Sequence, residues 1–172
     1  TTTPRKRNTR TFSRFFAKTP LMISGTPRAP IAVNEPIKQY APGSPERAEL
    51  KAALQKVGSE KVEIPVLIGG KEIRTGKTFD VRSPFDHHKV LATVHSAGPA
   101  EVEQAIASAM TAKKAWAALP LSERSAVMVK AAELLATKYR ARINAVTMWG
   151  QGKTAYQSEI DAACEGIDFL RF

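Results

Sequence analysis

Three histidines, one cysteine, a Gly-Gln-Gly-Lys-Thr run and three carboxylates at helical spacing are the residues of this chain whose types could do chemistry. His87 and His88 are adjacent, so on a strand they would point to opposite faces and could not share a metal ion. His95 is the only other histidine and no cysteine lies near it, so no zinc site is expected and the pair reads as an exposed turn. Gly150-Gln151-Gly152-Lys153-Thr154 ends like a phosphate-binding loop. The full pattern needs a glycine where Thr147 stands, after a strand, and the residues before it have helical spacing. Neither Gly-x-Gly-x-x-Gly nor Gly-x-Ser-x-Gly occurs. Cys164 is the sole cysteine, so no disulfide can form within the chain. It lies beside an apolar helical stripe, with no His, Lys or Arg within one turn to lower its pKa, and reads as a small core residue rather than a nucleophile. Asp161, Glu165 and Asp168 are spaced four and three and fall on one helix face. That face is either solvated or borders a pocket or a partner domain; like charges at this spacing repel, so stability alone does not explain them.

These residues need elements to position them. The last helix carries an apolar stripe at Tyr156, Ile160, Ala163, Ile167 and Leu170. No Gly, Asn or Pro follows Leu170, so the chain is expected to end inside this helix and to be the front of a longer protein. Before it, residues 140–149 have helical spacing and Gly150 and Gly152 interrupt the chain. Pro99 opens a helix whose expected buried face is Val102, Ala105, Ile106, Ala109 and Met110. Ser122 is the expected cap of the next helix, with Val127, Ala131 and Leu134 facing the core. The first half is strand-rich. Residues 64–68 read as one strand, Gly69-Gly70 as a hairpin turn, and 71–74 as the returning strand. Residues 78–82 and 89–95 read as a second pair, joined by Ser83-Pro84-Phe85-Asp86-His87-His88. Upstream, Ser44-Pro45-Glu46 starts a helix that is expected to stop at Gly58.

Charge is concentrated at the beginning. The net charge is +10, and Arg5, Lys6, Arg7, Arg10, Arg14, Lys18 and Arg28 supply most of it with no acid among residues 1–30. Arg, Ser and Thr with interspersed Phe12, Phe15 and Phe16 and no acid make the composition of a mitochondrial transit peptide. An unaddressed basic tail and a nucleic-acid-binding arm share that charge and remain open on composition alone. No stretch approaches the ~20 apolar residues of a membrane-spanning helix.

Ordered short motifs then carry a resemblance. Asn34-Glu35-Pro36, Gly43-Ser44-Pro45-Glu46-Arg47, Ser83-Pro84-Phe85 and the 150–154 run are followed by Gln157, Glu159-Ile160-Asp161-Ala162-Ala163, Glu165 and Ile167-Asp168-Phe169. Over residues 34–172 the chain resembles the amino-terminal part of mitochondrial members of the aldehyde dehydrogenase superfamily that act in proline catabolism. The resemblance implies an α/β fold whose front part is short antiparallel strands followed by several helices, behind a disordered basic tail over residues 1–33. It implies oxidation of L-glutamate γ-semialdehyde to L-glutamate, with a cysteine thiolate as nucleophile and NAD as hydride acceptor. It also implies a small aldehyde as the binding partner, a homo-oligomer, and residence in the mitochondrial matrix. The catalytic cysteine of that superfamily falls later in the sequence, so no catalytic or NAD-binding residue is expected here and the chain alone is expected to be inactive. Only Glu165 and Phe169 carry over as candidate substrate-binding residues. The rival classes are a non-catalytic mitochondrial interaction module and a basic-armed nucleic-acid-binding protein.

Overall fold

The computed structural model describes residues 30–172; the basic segment up to residue 29, and with it most of the expected transit peptide, lies outside the described residues. Helix α1 (Pro45–Ser59) begins as its sequence dictates. Ser44 Oγ accepts the Arg47 N–H at 3.4 Å, Pro45 occupies the first position and Glu46 sits at the positive end of the dipole. The expected stop at Gly58 does not occur, since the helix continues to Ser59. The glycine serves close packing instead: a Cβ there would come 2.6 Å from Cζ2 of Trp149.

Pro65 splits the strand expected over 64–68 into β1 (Val62–Ile64) and β2 (Val66–Ile68), which join different sheets. Lacking an N–H, proline cannot continue a central ladder. Strand β2 and β3 (Lys71–Ile73) form the expected hairpin, with Val66 opposite Ile73. Gly69 (φ 58) and Gly70 (φ 77) supply the two left-handed residues its tight turn requires. Strand β4 (Thr78–Arg82) pairs antiparallel with β5 (Val90–His95), as expected, and β1 pairs with the other edge of β5 in parallel, Val62 opposite Ala92. The parallel pair departs from an all-antiparallel reading. The β2–β3 hairpin and β4 intervene in the chain and allow β1 to return beside β5 in the same direction. His87 and His88 lie in the exposed turn between β4 and β5.

Helix α2 (Pro99–Ala118) has the expected start, but its expected buried face is exposed among the described residues, at Val102, Ala105, Ile106, Ala109 and Met110 alike. Periodicity identifies an apolar face without showing what covers it. Helix α3 (Leu121–Ala136) starts before Ser122, which therefore does not cap it; the Pro120 carbonyl accepts the first helical N–H groups. Its core contact is Ala132, with Leu135 and Ala136, rather than Val127, which is exposed. Residues 126–136 are apolar around most of the helix, so the stripe could be read one residue off. Helix α4 (Arg140–Gln151) runs through Gly150 and ends at Gly152, which adopts the left-handed conformation (φ 68).

The last helix is continuous but not uniform. Thr154 and Gln157 make a reciprocal capping box at the start of α5 (Ala155–Ser158). A π segment follows (Glu159–Cys164), then α6 (Glu165–Arg171). The extra residue of the π turn shifts the buried face upstream of it by one position. Glu159 takes the place expected for Ile160 and is fully buried, whereas Tyr156, expected in the core, is 58% exposed. Two apolar clusters result. Tyr40, Leu50 and Ala145 join an arm without helix or strand (residues 30–41) to α1 and α4, and Ala132, Ala163 and Ile167 join α3 to the last helix.

Candidate functional site

The sequence-predicted site residues sit on the outer face of α6. Glu165 and Phe169 are four residues apart and both point outward; Phe169 is 79% exposed. Glu165 makes no hydrogen bond among the described residues. Phe169 borders a groove of about 600 Å³ between the arm at residues 30–36, Met128 and Val129 of α3, and the end of α6. The three carboxylates expected to form one acidic face do not act together. Asp161 pairs with Lys153 at 2.8 Å. Asp168 turns to the arm, where Oδ1 accepts the Glu35 N–H and Oδ2 accepts from Asn34 Nδ2, both at 2.7 Å. Glu165 and Asp161 stay exposed, and Glu165 alone of the three makes no hydrogen bond among the described residues. Asp161 and Asp168 find different partners, and the arm that meets Asp168 is not visible in the spacing.

The densest polar chemistry lies behind this helix. Arg140, in the first turn of α4, forms ion pairs with Glu159 and Glu35 and donates to the Pro36 carbonyl at 2.7 Å. Glu159 also accepts from Tyr40 Oη (2.6 Å), Asn144 Nδ2 (2.8 Å) and the Lys38 N–H (2.8 Å). Burial alone would raise the Glu159 carboxyl; hydrogen bonds from Arg140, Tyr40, the Lys38 backbone and Asn144 outweigh it and hold the pKa at about 2. Burial, followed by the hydrogen bond to Glu159 and then its charge, pushes the Tyr40 phenol up. Burial acts against the charged Arg140 guanidinium, but its bonds to Glu159 and Glu35 prevail and raise it. Tyr40 is held at φ 52, a strained backbone for a non-glycine, and its carbonyl accepts from Arg47. Glu35 is gripped from the other side by Arg171 at 2.7 Å. The cluster fastens the extended arm across α4 and the last helix.

Sequence reasoning placed Glu35 and Glu159 only within quoted motifs and gave Arg140, Asn144 and Tyr40 no role. One signal was present. Arg140 and Arg142 stand in the first turn of a helix, where the dipole disfavours bases, and such a base asks for a buried anion.

Cys164 is buried, as expected. A base does lie near it in space: Arg140 Nη2 is 3.6 Å from Sγ. Burial and the Glu159 charge nonetheless dominate and push the thiol up to about 11, which leaves it protonated and inert at neutral pH. Elsewhere, His95 Nδ1 accepts the Gly76 N–H at 3.2 Å, and Nε2 faces Glu63 at 2.9 Å. That assigns the proton to Nε2 and gives His95 a structural place joining β1 to β5. Among the described residues no group of His, Cys, Asp and Glu is disposed to hold a metal ion, and no helix is long and apolar enough to cross a membrane.

The 150–154 run does not form a dinucleotide cradle. Gly150 and Gln151 lie within α4, Lys153 is committed to Asp161, and the space beside Gly152 is taken by Pro84 and Phe85. No hydride step is therefore assigned to these residues.

Comparison with known proteins agrees with this architecture. The model of the aldehyde dehydrogenase family matches residues 72–172. The chain is 48% identical over 146 residues to the probable delta-1-pyrroline-5-carboxylate dehydrogenase of Schizosaccharomyces pombe, covering 84% of this chain and 27% of that protein. Over 143 residues it is 50% identical to the mitochondrial delta-1-pyrroline-5-carboxylate dehydrogenase of Dictyostelium discoideum, covering 83% of this chain and 26% of that one. The crystal structure of the corresponding Mycobacterium tuberculosis enzyme bound with NAD superposes with a TM-score of 0.84 at 44% identity, covering 87% of this chain and 28% of that one. The chain thus spans about a quarter of the length of the curated relatives it matches. With a family model matched over more than half its residues, a shared fold and the motifs of residues 150–169 in place, the chain belongs to the aldehyde dehydrogenase family.

Proposed function

We propose that these residues form part of an NAD-dependent dehydrogenase that oxidises L-glutamate γ-semialdehyde, the ring-opened form of delta-1-pyrroline-5-carboxylate, to L-glutamate in proline catabolism. The observation that carries this reading is the 48% identity over 146 residues to a protein named for that reaction. The reaction belongs to a polypeptide of the relatives' length, and the 172 residues alone are inactive. Their only cysteine is buried, and its thiol is pushed up to about 11. Glu165 and Phe169 form part of the substrate wall. The exposed carboxylate can meet the α-ammonium group of the semialdehyde, and the exposed ring can cover its methylene chain. The basic segment 1–33 carries the address peptide, the site of action is the mitochondrial matrix, and the enzyme is a homo-oligomer. The mitochondrial names of several relatives support the location.

The test compares a polypeptide of the relatives' length carrying these residues with the 172-residue chain. NADH formation is followed with delta-1-pyrroline-5-carboxylate and with a simple alkyl aldehyde. The longer polypeptide is expected to form NADH with at least about tenfold higher kcat/KM for the amino-acid semialdehyde, since a site with a placed charge discriminates strongly. No turnover of that substrate overturns the reading, and NADH formation by the 172 residues alone overturns their predicted inactivity.

A further inference from the structure

The arm's contacts with the last helix fall close beside the exposed strip that carries Glu165 and Phe169. Successive residues of an α-helix turn by about 100°, so Asp168 lies about 60° around the axis from Glu165, on the side opposite Phe169. Asp168 accepts two hydrogen bonds from the arm, from the Glu35 N–H and Asn34 Nδ2. One turn on, Arg171 donates to the Val33 carbonyl at 3.2 Å and pairs with Glu35. At the first residue of the π segment, Glu159 accepts the Lys38 N–H. The arm therefore bonds the helix at the start of its one non-α turn and again beyond that turn's end, across the segment where its rotation is least fixed by regular i→i−4 bonds. Ile167 anchors α6 to α3 through non-directional packing. The directional contacts that set its rotation come from the arm.

We propose that Asp168, Asn34 and Glu35 form a positioning lock that sets the rotation of α6 and thereby places Glu165 and Phe169 against the substrate. The proposal rests on the reading of Glu165 and Phe169 as substrate wall. These residues do not touch the substrate; they act through Glu165, and the lock is neutral toward NAD. Asp168→Asn is the cleanest perturbation. It keeps the volume of the side chain but turns one acceptor into a donor facing a donor.

The experiment is a double-mutant cycle in the NAD-dependent enzyme of full relative length carrying these residues, with KM measured separately for the semialdehyde and for NAD. Asp168→Asn is expected to raise the semialdehyde KM about tenfold, within the ~100-fold that an ångström of misplacement can cost, and to leave the KM for NAD unchanged. In a Glu165→Ala background the same substitution is expected to have no further effect. If Glu165→Ala leaves the semialdehyde KM unchanged, the pocket reading falls and the lock with it. If Glu165→Ala raises that KM but Asp168→Asn does not, or the two effects multiply independently, the pocket reading stands and the lock is overturned. A parallel rise in both KM values also overturns it, because general loosening would move both. Asn34→Ala, on the exposed side of the arm, removes one lock bond without altering the helix. It replaces Asp168→Asn in the same cycle, with the same criteria, if that variant does not fold.

Discussion

Replacing Glu159 with Gln removes one charge from the centre of the polar cluster and keeps its shape. The side chain is fully buried, and its carboxylate meets Arg140, Tyr40, Asn144 and the Lys38 N–H. A glutamine's one oxygen can still accept from Tyr40 and Asn144, but its amide nitrogen then faces two donors, so it loses the acceptor for the Lys38 N–H and the charge opposite Arg140, which keeps Glu35 as its remaining anion. The folded carboxyl sits at about 2 against an ordinary 4.5, a displacement of about 3 kcal/mol in favour of the folded state. Breaking one side of a buried ion pair independently costs about 3–5 kcal/mol. The sign follows from the depressed pKa. The stabilisation is complete above the unfolded value near 4.5 and is lost as pH falls from there toward 2. Urea unfolding of the chain, followed by tryptophan fluorescence at steps from pH 7 to pH 2.5, should show Glu159→Gln weaker by about 3 kcal/mol at pH 7. The two stability curves should converge as the pH drops below 4.5. A difference under about 1 kcal/mol at pH 7, or curves that stay parallel down to pH 2.5, would refute the reasoning and show that the cluster is held by packing.

Gly58→Ala should destabilise the chain by about 1–3 kcal/mol in the same urea assay, because the added methyl must displace the Trp149 indole; an unchanged midpoint would show that the ring moves aside freely. Cys164 should resist thiol-specific alkylation at pH 7.5 in native protein and react fully once unfolded, since its thiol is buried and titrates at about 11; rapid labelling under native conditions would contradict that environment.

Local signals carried much of this fold in the sequence. Ser44-Pro45-Glu46 marked a helix start because cap, fixed φ and dipole charge agree at one point. Gly69-Gly70 marked its hairpin because few other residues accept two left-handed conformations in a row. The failures have physical causes too. Pro65 should have divided its strand, since a residue without an N–H cannot serve two ladders. The α2 stripe was legible as apolar but not as exposed, because burial depends on a partner surface that periodicity does not encode. The candidate site was legible only in part. Glu165 and Phe169 share an exposed face, as their spacing requires. The cluster behind them joins Glu35, Tyr40, Arg140, Asn144 and Glu159 across more than 100 residues of chain, and no local pattern brings such residues together.

The π turn explains why the last helix misled a periodic reading and why it is built as it is. Counting back from Ile167 with α spacing puts Ala163, Ile160 and Tyr156 on the buried face. One residue added within the Glu159–Cys164 segment moves that face to Glu159 and Ala155 upstream, while Ala163 and Ile167 stay in place. In a regular helix Ile160 would face Arg140, and the guanidinium would be left with Glu35 as its only carboxylate partner in the cluster. Glu159 would turn outward and leave the Lys38 N–H and the Tyr40 hydroxyl without their acceptor. The π turn thus lets one helix present an apolar face to α3 at its end and a charged group to Arg140 at its start. It lets a polar, extended arm pack against the helices with its buried groups satisfied. The loss of one regular helical bond is offset by the bonds Glu159 makes, which favours keeping a sparsely used helix geometry at this point.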